Sequence, residues 1–372
     1  MKNLIEILGS TQLLLGINFD PDLLFEEKLT DELRGFMVLL RVIEEHLPHM
    51  ELEGKRFGRP RYSDLPIFRA CIAKHCFHID RNNHLRQRLL SDSNLRRICG
   101  MNKIPSEATF SRRLTDFSKR CLPDIILARL IKQYHEDRMV CVIARDSTAI
   151  AARERPENKK KEIEPVKNKR GRPRKDEIRE PKVEKRLHRQ IRQPSAKSLK
   201  ELNKDCAWGC KLNSQGNPQY WKGYKLHLDV SGFGIPISAC VTGANVHDSQ
   251  VAIPLEKITE RRITHLYTMA DAAYDVPELR NYIKAKNRIA VIDYNKRRRV
   301  DAPQLGLLER EQFKARTVVE RANAHLKDHF LPTAIFVKGY QKVSFVLLLG
   351  VLCLAATKLI QSFLLPESVA IV

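Results

Sequence analysis

The chain has 372 residues, of which 43% are apolar, and its 66 Lys and Arg exceed its 44 Asp and Glu to give a net charge of +22. This apolar share supports a packed core in two or three domains and excludes a chain that is disordered throughout. Because so large an excess of one charge repels itself unless a polyanion neutralises it, the composition favours nucleic acid as a partner. An acidic membrane surface is the competing partner, but no amphipathic anchor or lipidation signal is evident.

The nine cysteines and the N-terminus indicate the compartment. The cysteines are odd in number and lack regular spacing, which is typical of a reducing cytoplasm. The apolar runs near the N-terminus are interrupted by Glu6 and by polar residues, so no signal peptide is predicted. We therefore expect a cytoplasmic protein.

The first part of the chain, residues 1–137, is predicted to be a helical domain for DNA binding or assembly. Apolar residues recur at spacings of three and four in 31–47 and again in 65–79. This spacing is typical of helices that bury one face.

A further helix is predicted to begin near residue 106. Pro105 and Ser106 form a start signal, with Ser106 as the N-cap. Arg112 and Arg113 are expected to be exposed on one side of this helix. Two interpretations stay open: a helix-turn-helix reader of DNA that uses both arginines, or a helical assembly domain whose basic residues face water.

From residue 139 onwards, runs of β-branched residues predict a second domain, 138–372, with five strands. Helices are expected after Asp248, at 277–286 and over Glu309 to His329. This order predicts an α/β layer with a mixed sheet, which is the order of a ribonuclease H-like core. The five predicted strands are 139–146, 224–230, 235–242, 264–271 and 288–295.

The apolar stretch Val343 to Thr357 is followed by Lys358. It is shorter than the roughly 20 residues that cross a bilayer, so we expect a buried core helix rather than a membrane span. We therefore expect no association with a membrane.

An insertion at 151–200 interrupts the second domain. It carries 19 Lys and Arg against 8 Asp and Glu, half of the excess charge of the chain, and it contains no aromatic residue. Such a segment buries too little apolar surface to fold alone, so we expect an arm that is disordered, or forms helix only transiently, until DNA is present.

Within this arm, residues 167–175 read KNKRGRPRK, which resembles an AT-hook. An extended Arg172-Pro173 backbone flanked by Arg170 and Arg174 can lie in the narrow minor groove of A·T-rich DNA. The alternative is general attraction of these arginines to phosphates or simple solvation.

Three acidic residues occur where a two-metal site for phosphodiester chemistry would need them. Such a site needs carboxylates from separate elements that converge at one edge of a sheet, and oxygen ligands favour Mg²⁺ or Mn²⁺. Asp146 and Asp271 each end a predicted strand, and Glu320 lies on the predicted long helix. Singly, an acid after a strand is more often a turn former or a helix cap.

The long helix places four functional candidates on nearly one side. Phe313, Arg316, Glu320 and Lys327 are spaced by three, four and seven residues. The carboxylate can bind metal while the two cations grip phosphates of the same DNA strand. The alternative is a stripe of salt bridges that faces water.

The spacing of these four residues resembles the signature of insertion-sequence DDE transposases, in which tyrosine, arginine, glutamate and lysine are separated by two, three and six residues. Here Phe313 replaces the tyrosine, so its hydroxyl contact to a phosphate is lost while stacking or packing can remain. The sequences around Asp146 and Asp271 resemble the first two acidic motifs of this family, and Asp275 is the rival for the second.

The resemblance implies a ribonuclease H-like fold and Mg²⁺ or Mn²⁺ held by Asp146, Asp271 and Glu320. It also implies excision and integration at terminal inverted repeats of double-stranded DNA in a bacterial-type nucleoid. Because two transposon ends must be brought together, we expect at least a homodimer on DNA. The rival functions are a catalytically inactive DNA-binding protein and a metal-dependent nuclease that cuts without joining.

The pair His247-Asp248 lies before a predicted helix, where it could also approach the metals. We interpret Asp248 as a helix N-cap beside a packed histidine and leave both residues out of the ligand set.

Overall fold

The computed structural model describes residues 25, 28–48, 62–135, 138–156, 184–212, 215–295 and 303–364. The AT-hook-like segment 167–175, with Arg170, Arg172 and Arg174, lies outside these ranges, and its role stays a prediction.

The described residues of the N-terminal region contain six helices, in keeping with the helical pattern of the sequence. The first begins at Thr30, whose side chain accepts a hydrogen bond of 3.3 Å from the backbone N–H of Leu33. Its buried face includes Phe36 and Leu40, which join the main core. The six helices are α1 (Asp31–Glu44), α2 (Asp64–Cys76), α3 (Asn82–Ser91), α4 (Ser93–Ile98), α5 (Glu107–Lys119) and α6 (Leu122–His135).

In the second half, the residues that the structure describes form a mixed sheet of six strands, one more than predicted. The additional strand, β2, has Gly209 and Lys211 among its six residues, so its sequence lacks the β-branched run that identifies the others. The strands are β1 (Val140–Ala151), β2 (Ala207–Leu212), β3 (Pro218–Ser231), β4 (Pro236–Gly243), β5 (His265–Ala270) and β6 (Ile289–Ile292).

The long strand β3 organises the sheet. On one side its first part pairs with β2 and its second part with β4, and on its other side it pairs with β1, all antiparallel. Beyond β1, strands β5 and β6 follow in parallel. The principal order is therefore β4-β3-β1-β5-β6, with β2 continuing the β4 edge.

Helices cover both faces of this sheet. They are α7 (Arg186–Arg192), α8 (Ser195–Lys200), α9 (Ser249–Thr259), α10 (Pro277–Ala285), α11 (Leu307–Phe313), α12 (Thr317–His325) and α13 (Tyr340–Leu359). Arg145 donates hydrogen bonds to Ala252 and Glu256 of α9, whereas the next residue, Asp146, accepts one from Asn323 of α12. Because successive side chains of a strand point to opposite faces, α9 and α12 lie on opposite faces of the sheet.

The apolar C-terminal stretch is a core helix, as predicted. Among the described residues, the helix over Tyr340–Ser362 is long and apolar enough to cross a membrane, but 83% of its most apolar window is buried inside the protein. It packs against α5, α6 and β4, and its side chains belong to the same core as the N-terminal helices.

Two expectations about segments are corrected. Residues 184–200 of the predicted disordered arm form α7 and α8, which pack on α9; Gln190 is buried and donates a 2.9 Å hydrogen bond to the carbonyl of Gln250. The predicted continuous helix over Glu309 to His329 is instead α11, a 3₁₀ turn at Lys314–Arg316, α12 and a π-helical turn at Leu326–Phe330. Since α11 buries none of its residues, no core packing enforces one straight helix there.

Candidate active site

Asp146 does not end its strand, contrary to the expectation from sequence. β3 pairs with β1 as far as Ala151, whereas the pairing of β5 with β1 stops at Arg145 opposite Ala270. The backbone beyond Asp146 therefore stays extended because β3 supports it. Asp146 lies one residue beyond the point where β1 loses its parallel neighbour β5.

Asp271 follows directly on the last residue of β5. Since Ala270 is the partner of Arg145, Asp271 and Asp146 take the next positions on two adjacent strands, whose axes are about 4.8 Å apart. Asp271 also begins the 3₁₀ turn Ala272–Tyr274 and accepts a 3.1 Å hydrogen bond from the N–H of Ala273.

The rival acid, Asp275, has other partners. Its carboxylate accepts a hydrogen bond of 2.9 Å from Arg280 and one of 3.0 Å from the N–H of Asn295. Asp275 thus holds α10 against the loop after β6, and Asp271 is the acid that stands beside Asp146.

Both adjacent aspartates are in surroundings that disfavour their negative charge. The pKa of Asp146 is raised to about 6, and burial is the largest cause. A backbone hydrogen bond from Ser147 and the charge of Arg316 lower this pKa, whereas the charges of Asp271 and Asp248 raise it. Burial likewise raises the pKa of Asp271, and Asp248 is the largest charge acting in the same direction. A bound cation would relieve this repulsion.

The helix α12 brings Glu320 to the same edge of the sheet. Three residues after Glu320, the side-chain N–H of Asn323 donates a 3.0 Å hydrogen bond to Asp146. Four residues before it, Arg316 forms an ion pair with Glu320, and the charge of Arg316 lowers the pKa of both Asp146 and Asp271. Along the helix, Glu320 therefore lies between Asn323, which bonds to Asp146, and Arg316, whose charge acts on both aspartates.

The carboxylates are not arranged as a closed metal site. Within the described ranges, no group of three or more His, Cys, Asp or Glu side chains could hold a metal ion. The side chain of Glu320 is 49% exposed and turned towards Arg316. The two aspartates fit a hard divalent cation by their oxygen donors and their repulsion; Glu320 would have to rotate away from Arg316 to join them.

The other members of the four-residue signature face the same side. The guanidinium of Arg316 lies over the ring of Phe313, 5.5 Å from the ring centroid. Partial desolvation lowers the pKa of Lys327, Lys211 lowers it further, and Asp146 raises it. The charge interaction with Asp146 indicates that Lys327 lies near this edge despite the π-helical turn.

One of the two predicted DNA-contacting arginines on α5 is a structural residue. Arg112 is exposed, but Arg113 is buried and forms ion pairs with Asp64 at 3.2 Å and with Asp116 at 3.5 Å. Arg113 shares the helix face of Phe110 and Leu114, so it points into the core. The expectation that Arg113 is exposed is wrong.

The sequence interpretation also missed contacts of Asp248. It occupies the N-cap position of α9, but its side chain makes no capping hydrogen bond and instead accepts one of 2.9 Å from Lys225. Lys225 and His227 alternate with apolar residues along β3, a pattern that signals polar groups on one face of the strand. The signal for Asn323 was its place three residues after Glu320.

Two family models match the chain. Residues 137–356 match the transposase DDE domain, and residues 25–116 match a second transposase domain, DUF772. The chain belongs to the DDE transposase family. No curated protein and no solved structure matches it significantly. Membership indicates an insertion-sequence transposase, a DNA-processing enzyme whose relatives generally use divalent metals.

Proposed function

We propose that this transposase cuts DNA at transposon ends and joins the freed ends to target DNA, with Asp146, Asp271 and Glu320 as ligands of Mg²⁺ or Mn²⁺. The observation that carries the proposal is the register of β1 and β5, which sets Asp146 beside Asp271 at the edge reached by α12.

We further propose that residues 138–372 form a ribonuclease H-like catalytic domain after the helical domain 1–137. Three antiparallel strands, β4, β3 and β1, are followed in space by the parallel strands β5 and β6, and helices cover both faces. This arrangement supports that fold because the first two acids then lie on adjacent central strands.

When bound, divalent metal makes the attacking water or 3′-hydroxyl more acidic and neutralises the leaving oxygen. The chain supplies the means to hold that charge in place. Asn323 fixes the orientation of Asp146 through its 3.0 Å hydrogen bond, and Asp271 is held by the turn that it begins. In the free protein Arg316 is ion-paired with Glu320. On DNA, Arg316 would turn to a phosphate, and the carboxylate of Glu320 would be free to bind the cation.

We assign the phosphate contacts near the reacting strand to Arg316 and Lys327, with Phe313 packing against Arg316. Arg112 is a candidate contact farther along the DNA, as is the basic arm with Arg170, Arg172 and Arg174. Each cation that meets a phosphate releases counterions, so binding should weaken with salt. We expect a homodimer on DNA, because two ends of the element must be held together.

The decisive experiment compares Asp146→Asn with the unchanged protein on DNA that carries the inverted repeats of the element. The variant should lose strand cleavage and retain DNA binding, because it loses charge at the metal but keeps the basic surface. Glu311→Gln removes one carboxylate from an exposed position and serves as the control, with cleavage unchanged.

A labelled end that appears in a target plasmid distinguishes joining from cutting alone. Cleavage without transfer would identify a nuclease, and binding without metal-dependent cleavage would identify an inactive DNA-binding protein. Retained nicking by Asp146→Asn would refute the ligand assignment.

A further inference from the structure

Asp248 stands at the start of α9, but its carboxylate is drawn away from the helix end. Lys225 donates to Asp248 at 2.9 Å and to the carbonyl of Val246 at 3.0 Å, which fixes the ammonium group between the two. The carboxylate is 15% exposed. Asp248 already has helical backbone angles (φ −60°, ψ −35°), and Nδ1 of His247 accepts a 3.3 Å hydrogen bond from the N–H of Ser249. The start of α9 therefore does not need the carboxylate of Asp248.

The position of this carboxylate places it close to the edge where the two aspartates lie. Lys225 and His227 pair across the sheet with Ala149 and Ser147, the residues of β1 just beyond Asp146. The helix α9 also packs against the 3₁₀ turn that Asp271 begins. Asp248 therefore approaches this edge from the α9 face, opposite to the face from which Glu320 approaches.

Two fully buried polar atoms border the same place without a hydrogen-bond partner among the described residues. One is Nδ1 of His227, which lies 3.9 Å from the carboxylate of Asp248. The other is the hydroxyl of Tyr274, whose pKa is raised by burial first and then by the charge of Asp248. The second ring nitrogen of His227 already contacts the hydroxyl of Thr242 at 3.0 Å. Buried polar atoms are normally paired, so two unpaired ones beside a carboxylate indicate a hydrated ligand.

We propose that Asp248 is a fourth carboxylate of the metal site, and that with Asp271 it binds a hydrated divalent cation from the α9 face. This inference rests on the proposed function. Lys225 and His227 act as positioning residues: Lys225 holds the carboxylate, and Nδ1 of His227 can accept a hydrogen bond from a water of the ion. Mg²⁺ suits such a site because it usually keeps several of its waters.

The test measures binding of Mn²⁺ to the full chain by electron paramagnetic resonance, without DNA, so the readout does not depend on activity. Asp248→Asn and Asp248→Ser both remove the carboxylate and keep a small polar side chain, and circular dichroism confirms that they fold. Each should weaken Mn²⁺ binding about tenfold or more. Glu311→Gln, which removes the same charge from an exposed site, should bind like the unchanged protein.

Including Asp146→Asn separates this inference from the proposed function. If Asp146→Asn loses Mn²⁺ while both Asp248 variants bind like Glu311→Gln, the fourth carboxylate is refuted and the proposed function stands. If Asp146→Asn also binds Mn²⁺ normally and still cleaves DNA, both proposals fall.

Discussion

Substitution of the buried Arg145, next to Asp146, should greatly lower the free energy of unfolding. Arg145 is fully buried and donates to Asp229 at 2.6 and 2.7 Å, to Glu256 at 2.8 Å and to the carbonyl of Ala252 at 2.9 Å. Arg145→Met keeps much of the side-chain volume but leaves two buried carboxylates with one cation fewer. Removing one partner of a buried ion pair costs about 3–5 kcal/mol.

The two carboxylates would not suffer equally. Glu256 keeps Arg288 at 2.8 Å and His265 at 2.9 Å, whereas Asp229 keeps the hydroxyl of Thr259 at 2.5 Å. The loss should therefore concentrate at Asp229, and adding Asp229→Asn to Arg145→Met should recover part of the stability. Recovery by the second substitution would show that the cost comes from unpaired charge rather than from a cavity.

Urea denaturation followed by circular dichroism measures the free energy of unfolding of these variants. Arg88→Met is the matched control, because Arg88 is 51% exposed and pairs with Asp92 within one turn of helix. It should cost less than about 1 kcal/mol. A loss for Arg145→Met no larger than that of the control would refute the reasoning.

Three further predictions follow from single residues. The pKa of Asp146 in the folded protein is raised to about 6, so the protonated carboxyl stabilises the metal-free protein at low pH and this stabilisation is lost as the pH rises through 6. Asp146→Asn should therefore stabilise the metal-free protein by about 1–3 kcal/mol at pH 7.5. Thermal melts near pH 4 should show no gain. Arg113→Ala should cost about 3–5 kcal/mol by leaving Asp64 buried with less charge compensation, whereas Arg112→Ala should alter only DNA affinity in a gel-shift assay; equal effects would contradict the burial. Gly223 has φ +154°, and a Cβ there would lie 2.1 Å from the carbonyl of Ile150, so Gly223→Ala should give little folded protein; a normal yield would mean that β1 and β3 can separate.

Many of the helices and strands, and the residues proposed for the site, could be identified from local patterns. Runs of β-branched residues located five of the six strands, and the apolar C-terminal stretch indicated a buried helix. Asp146, Asp271 and Glu320 were selected by strand ends and by a spacing along a helix. These features depend on residues a few positions apart, so they are readable from the chain alone.

The remaining features depend on partners far away in sequence. β1 continues past Asp146 because β3, about 80 residues later, pairs with it, and Arg145 can be buried because Asp229 and Glu256 surround its charge. The sequence predicts that Asp248 caps a helix, but its carboxylate instead accepts a hydrogen bond from Lys225 of β3. Composition and periodicity determined which helices and strands form. Only tertiary packing decided whether a charged side chain faces solvent, pairs with another residue or lies in the site. The reason is that a charge can be buried only where a residue of opposite charge packs against it.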